Sequence, residues 1–146
     1  MIESLSTHVA VLTVVAGLAA CTPINSPLDN PVEGARSVTE WAAEQPIQAG
    51  PFGQGADSPD AILEMIREME GGRWVVGPED TMVGLIGETG DDSVIGYART
   101  TLPPSDHALR AVDVRLDLRN QDGVWLVVST ERRYHCDAEV ASELCQ

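Results

Sequence analysis

Thiols, imidazoles and a pair of arginines are the groups in this 146-residue chain with chemistry to offer. His135 directly precedes Cys136 and lies near Cys145, which puts three metal-ligating types close together. Adjacent His-Cys is not the usual finger spacing, and no Cys-x-x-Cys pair accompanies it. Asp106-His107, within LPPSDHALR, is the second candidate, because a carboxylate can orient an imidazole for acid-base work. Neighbours on an extended chain point to opposite sides, so a direct bond between the two is not expected. Asp106 and His107 stand only as pocket candidates, in a loop or at a strand edge. Arg132-Arg133, beside Tyr134, is the densest positive spot in the chain. On a strand the two arginines face opposite ways, and pairing with Asp113 or Asp117 across a hairpin is expected ahead of an anionic ligand. Asp91-Asp92 lacks the alternating oxygen ligands of a calcium loop. No nucleophile elbow, phosphate-binding loop or zincin helix occurs. No catalytic residue, metal site or cofactor is assigned on these grounds.

The remaining thiol, Cys21, closes an apolar run. Val9 to Ala20 is almost entirely small or apolar. Twelve residues of helix span about 18 Å, short of a bilayer core of roughly 30 Å, and suit the hydrophobic region of a secretory signal. At its end, Leu18-Ala19-Ala20-Cys21 resembles the lipobox of bacterial lipoproteins, over about the first 21 residues of the chain. The resemblance implies a diacylglyceryl group on the Cys21 thiol, cleavage between Ala20 and Cys21, and a mature chain held on the extracytoplasmic face of the cell membrane. Two acyl chains anchor stably where one binds only marginally, at about 0.8 kcal/mol per buried methylene. With Cys21 assigned to lipid, Cys136 and Cys145 remain as an even pair in an oxidising compartment, so a disulfide is expected. It would close a loop of about ten residues and tie the C-terminal tail to the last strand. Metal binding with His135 is the competing reading.

Charge narrows the partners further. The formal net charge is −14, from 23 acids and 9 bases. Every one of those bases is arginine. Such a surface repels phosphate backbones, so nucleic acid is not expected as a partner. Apolar content of 43% is enough for one modest core at this length.

The elements that would position these groups can be read from periodicity. Residues 1–20 read as the signal peptide, 21–36 as the lipidated cysteine and a polar tether, and 37–146 as a single α+β domain. The tether rests on TPINSPLDNPVEG, residues 22–34, whose prolines and polar residues suit an extended segment reaching about 45 Å. Ser37-Val38-Thr39-Glu40 fits a capping box and predicts a short helix ending before Pro46. Ser58 as N-cap and Pro59 at the first helical position announce a stronger helix. Ile62, Met65, Ile66 and Met69 form its apolar face, the methionines as core filler, and Gly71-Gly72 its end. The period then changes to two. RWVVG, TMVGLIGE and SVIGYARTT read as strands. Val112, Val114, Leu116 and Leu118 alternate with Asp113, Arg115, Asp117 and Arg119, which predicts one buried and one wetted face. Asn120 to Gly123 is a turn, and VWLVVSTERRYH the returning strand. Gly84, Gly87 and Gly96 fit bulges or close backbone packing.

The expected architecture is one or two N-terminal helices on an antiparallel meander of about five strands. By element order alone this resembles the cystatin-like or NTF2-like group of small α+β domains, and fold analogy carries no activity. The functional expectation is a membrane-anchored envelope protein whose domain binds or scaffolds a partner without catalysis. The alternative is a small NTF2-like enzyme or ligand carrier with a pocket on the sheet face.

Overall fold

The structure, a computed structural model, describes residues 26–44, 53, 55–104, 108–137 and 143–145. Among the described residues one α-helix, α1 (Pro59–Trp74), packs on an antiparallel sheet of β1 (Ser37–Val38), β2 (Ala42–Glu44), β3 (Thr81–Gly90), β4 (Ser93–Thr101), β5 (Leu109–Gln121) and β6 (Val124–Cys136). The sheet order is β1-β6-β5-β4-β3, with β2 also paired to β6, so β3 to β6 form the expected meander.

Ser58 caps α1 as its sequence predicts: its hydroxyl accepts from the Ala61 amide at 3.2 Å, and Pro59 follows in the first turn. Ile62, Leu63 and Ile66 bury against Val94, Ala98, Val114, Leu116 and Leu118, with Met65 and Met69 packed at the margin. The helix runs past Gly71-Gly72 to Trp74. The glycine carbonyls cap it instead, accepting from the amides of Val76 and Val75 at 3.0 and 3.4 Å. Val75 is therefore a left-handed cap at φ 57°, 91% exposed, and RWVVG is not a strand.

The helix expected from Ser37 is absent. A single short helix has too few turns to repay its nucleation, whereas the outer edge of β6 offers a row of unpaired backbone groups. The Arg36 amide donates to the Cys136 carbonyl at 2.8 Å, and the Thr39 amide to the Tyr134 carbonyl at 2.9 Å. Ser37 and Val38 pair with Cys136 and His135; Ala42, Ala43 and Glu44 pair with Arg132, Glu131 and Thr130. One extra residue lies between these runs, so Glu40 and Trp41 stand opposite Arg133 in a bulge that re-aims Trp41 over the sheet.

The β5–β6 hairpin closes through Asp122 and Gly123, both at positive φ (55° and 87°), as a primed turn requires. Two strand glycines mark close approaches. A Cβ on Gly96 would lie 2.9 Å from Leu63 Cδ2 of the helix, and one on Gly84 would lie 2.9 Å from the ring of Tyr97. Gly87 sits at a register shift in the β3–β4 ladder, between Leu85 and Gly87.

The second face of the sheet departs from expectation. Val112, Val114, Leu116 and Leu118 do face the helix layer and are buried. Asp113, on the opposite face, is 0% exposed. What covers it is the stretch expected as a free tether. Residues 26–36 lie across this end of the sheet as a strap, and Leu28 is only 3% exposed. A 3-10 turn at Pro27–Asp29 starts the strap, capped by Ser26, whose hydroxyl accepts from Leu28 while Asp29 returns a carboxylate to the Ser26 amide.

Candidate functional site

The ladder brings Arg99 of β4 opposite Asp113 of β5, and Asp113 opposite Arg133 of β6. Paired residues share a face, so three charged side chains stand in one row, with His135 two residues further along β6. Both Asp113 oxygens are occupied. Oδ1 accepts from Arg99 Nε at 2.7 Å; Oδ2 accepts from Arg99 Nη2 at 2.9 Å, Arg133 Nε at 2.9 Å and His135 Nε2 at 2.7 Å. Burial alone would push the Asp113 carboxyl up. The hydrogen bonds from Arg99 and His135, with their charges, outweigh it and hold the group at about 2.

The arginines reach beyond Asp113 to the strap. Arg99 Nη2 donates to the Leu28 carbonyl at 2.7 Å and Nη1 to the Asn30 carbonyl at 2.8 Å. Arg133 Nη2 donates to the same Leu28 oxygen. A buried guanidinium with five donors needs several acceptors, and backbone carbonyls of an irregular segment need donors. Each requirement answers the other, and the strap is clamped to the sheet.

His135 is buried, with its Nε2 on Asp113 and its Nδ1 without a hydrogen-bond partner among the described residues. Because Asp113 is held ionised, the Nε2 hydrogen is the donor of that pair. An imidazole oriented by a carboxylate is half of an acid-base device. Here Asp113 serves two guanidiniums as well, and Nδ1 is closed off from solvent. An open hollow of about 390 Å³ adjoins the cluster, lined by Leu28, Val32, Arg36, Val38, Arg133 and His135 among others.

Further along the same face, the guanidiniums of Arg133 and Arg115 stack on the Trp41 ring at 4.5 and 4.9 Å from its centre. Arg115 Nε donates to its cross-strand partner Glu131 at 2.7 Å, an opposite-charge pair on the charged face of β5. Beyond it lies a polar hollow of about 460 Å³, lined by Ser93, Ile95, Arg115, Asp117, Arg119 and Glu131 with Ser129.

On the helix side, Arg132 forms a second buried network. Its Nη1 and Nη2 reach both oxygens of Glu70 at 2.8 and 2.7 Å, and its Nε reaches Glu44 at 2.7 Å. Burial pulls the guanidinium down, but bonds and charges from Glu70 and Glu44 hold it well above its ordinary range. Trp74 Nε1 donates to Glu70 at 3.1 Å and completes the set. Of the arginine pair, Arg133 thus meets Asp113 as expected, while Arg132 turns to the helix and not to the hairpin.

Cys136 and Cys145 are bonded, with S–S 2.00 Å and Cα–Cα 6.0 Å. Their sulfurs are committed to each other and His135 to Asp113, so the three groups do not converge on a metal position. Ala20, Cys21, Asp106 and His107 lie outside the described residues. Among the described residues no helix is long and apolar enough to cross a membrane. The chain matches no family model, no curated protein and no solved structure.

The sequence offers His135 as a possible metal ligand and Asp113 as a partner for the arginine pair, but does not bring them together with Leu28 and Arg99. The usable signal was Ser26-Pro27-Leu28-Asp29, a capping pattern around one apolar residue inside a supposed tether.

Proposed function

We propose that the chain is a lipid-anchored protein of the bacterial cell envelope, cleaved between Ala20 and Cys21 and attached through Cys21, with an α+β domain that binds or scaffolds a partner without catalysis. The observation that carries this reading is Leu18-Ala19-Ala20-Cys21 at the end of an apolar run, and the strap bears on how such an anchor would meet the domain. The chain is bound into the domain from Ser26 onward, five residues after Cys21, by the carbonyls of Leu28 and Asn30 on Arg99. An anchor at Cys21 would thus be joined to the folded body through only the four residues Thr22 to Asn25. Among the described residues the charged groups closest to an acid-base arrangement, Asp113 and His135, are engaged in that clamp, which favours a binding module over an enzyme. The element order supports a cystatin-like or NTF2-like outline, and the filled contact between α1 and the sheet favours binding at the surface over a ligand enclosed beneath the helix.

Membrane partition tests the anchor. The chain and its Cys21→Ala variant are expressed in a bacterium and the membranes separated. The native chain is expected in the membrane fraction and the variant outside it; a native chain found soluble contradicts the reading.

A further inference from the structure

Resting on the reading of Cys21 as the lipidated residue, we propose that the strap face of the sheet is a contact surface for zwitterionic lipid headgroups. The first argument is length. A free tether of residues 22–34 would reach about 45 Å. The clamp of Arg99 and Arg133 on the strap leaves Thr22 to Asn25 between Cys21 and Ser26. Five Cα-to-Cα steps span at most about 18 Å. A domain of this size is about 35 Å across, from a radius of gyration near 14 Å. The tether is shorter than the body it holds, and it leaves from the strap. The end of the sheet that carries the strap is therefore kept at the bilayer, and α1 is on the far side of the sheet.

The second argument is what that face exposes. Met82 of β3 is the cross-strand partner of Arg99, and Val38 of β1 is the partner of His135. Both therefore share the strap's face, one on each flank of it. They are among the most exposed large apolar side chains of the described residues, at 45% and 48%. Exposed Pro31 and half-buried Val32 of the strap belong to the same surface. The buried polar atoms beneath are already engaged, Arg99 and Arg133 with Asp113 and the strap carbonyls, so the cluster is not left with unmet charge facing the lipid. These apolar side chains, interspersed with the exposed Asp29, Glu33 and Arg36 of the strap, suit the headgroup boundary, where burial of apolar area supplies the attraction. The formal charge, −14 for the full chain and one less negative once Glu3 leaves with the signal peptide, is repelled by anionic lipid, which selects zwitterionic headgroups as the partner.

Hydrogen exchange on vesicles tests the contact. The full lipidated chain, purified from membranes, is reconstituted on phosphatidylcholine vesicles beside a variant with a ten-residue Gly-Ser insertion between Asn25 and Ser26. Both are floated to confirm attachment, then compared by mass spectrometry. Amides of residues 30–38 and 81–85 are expected to exchange about five-fold more slowly with the native tether, while α1 exchanges equally in both. Equal exchange across those segments in two chains that both float overturns the contact and leaves the anchor standing. If neither chain floats, the anchor reading fails, and this inference with it.

Discussion

The Leu28 carbonyl accepts a hydrogen bond from Arg99 Nη2 at 2.7 Å, across 71 positions of sequence. It joins a segment without regular pairing to the middle of a sheet, and it depends on a carboxylate that neither residue supplies. Asp113 holds the guanidinium in place from the other side.

Asp113→Asn is therefore expected to destabilise the domain by about 3–5 kcal/mol, because it leaves Arg99 and Arg133 buried beside an uncharged partner. Urea unfolding measures the loss. Faster hydrogen exchange over residues 26–36 is expected to accompany it.

Acid should act through the same carboxylate. Asp113 sits at about 2 in the folded chain against an ordinary 3.8. A depressed folded value contributes stability above the unfolded value and loses it as pH falls through the folded one. The contribution, about 2–3 kcal/mol, is expected in full above pH 5 and to disappear between roughly pH 4 and 2. Urea midpoints of the native chain and the Asp113→Asn variant across that window measure it: their difference should shrink as the pH falls.

Arg132 offers a different test, because its partners are on the helix and the β2 edge. Arg132→Met strands the buried Glu70 and is expected to cost about 3–5 kcal/mol. Combining it with Glu70→Leu should recover much of that loss, since the unpaired charge is removed with its partner. Additive losses in the double variant would contradict the assignment of the cost to stranded charge.

Glycines on the helix and the sheet should respond with opposite signs. Gly96→Ala drives a methyl to 2.9 Å from Leu63 Cδ2 and is expected to cost about 1–3 kcal/mol. Gly72→Ala meets nothing within 4 Å in the last turns of α1 and should stabilise by about 0.5–1 kcal/mol. Thermal unfolding of the two variants measures both.

Reduction of Cys136–Cys145 is expected to lower stability by about 2.5 kcal/mol, the chain-entropy value for a loop of about ten residues. Intact mass before and after reduction should differ by two hydrogen atoms, added as two electrons and two protons from the reductant and solvent. A loss of order in Glu143–Cys145 with β6 unchanged is the expected local effect.

The parts of this fold that could be read in advance are those whose pattern is local. Ser58-Pro59 starts a helix by supplying a hydroxyl acceptor and a fixed φ, and Asp122-Gly123 closes a hairpin by accepting positive φ. The alternation from Val112 to Arg119 names a strand and its helix-facing side without reference to any other segment. The errors arose where a distant partner decides. Ser37 to Glu40 satisfies a capping box in sequence, but the unpaired edge of β6, almost a hundred positions away, takes those amides into a ladder. Asp113 alternates like a wetted residue, but Arg99, Arg133 and His135 close over its carboxylate and the strap lies on the arginines. Nothing near residue 113 announces a cover formed by residues 26–36. The clamp is illegible for the same reason: its arginines and carboxylate are scattered over three strands and meet only through register.

The most direct measurement is the intact mass of the chain recovered from bacterial membranes. The expected mass is that of residues 21–146 carrying a lipid on Cys21, less two hydrogen atoms for Cys136–Cys145. A chain of residues 1–146 without added mass, recovered from the soluble fraction, would contradict the anchor on which the functional reading rests.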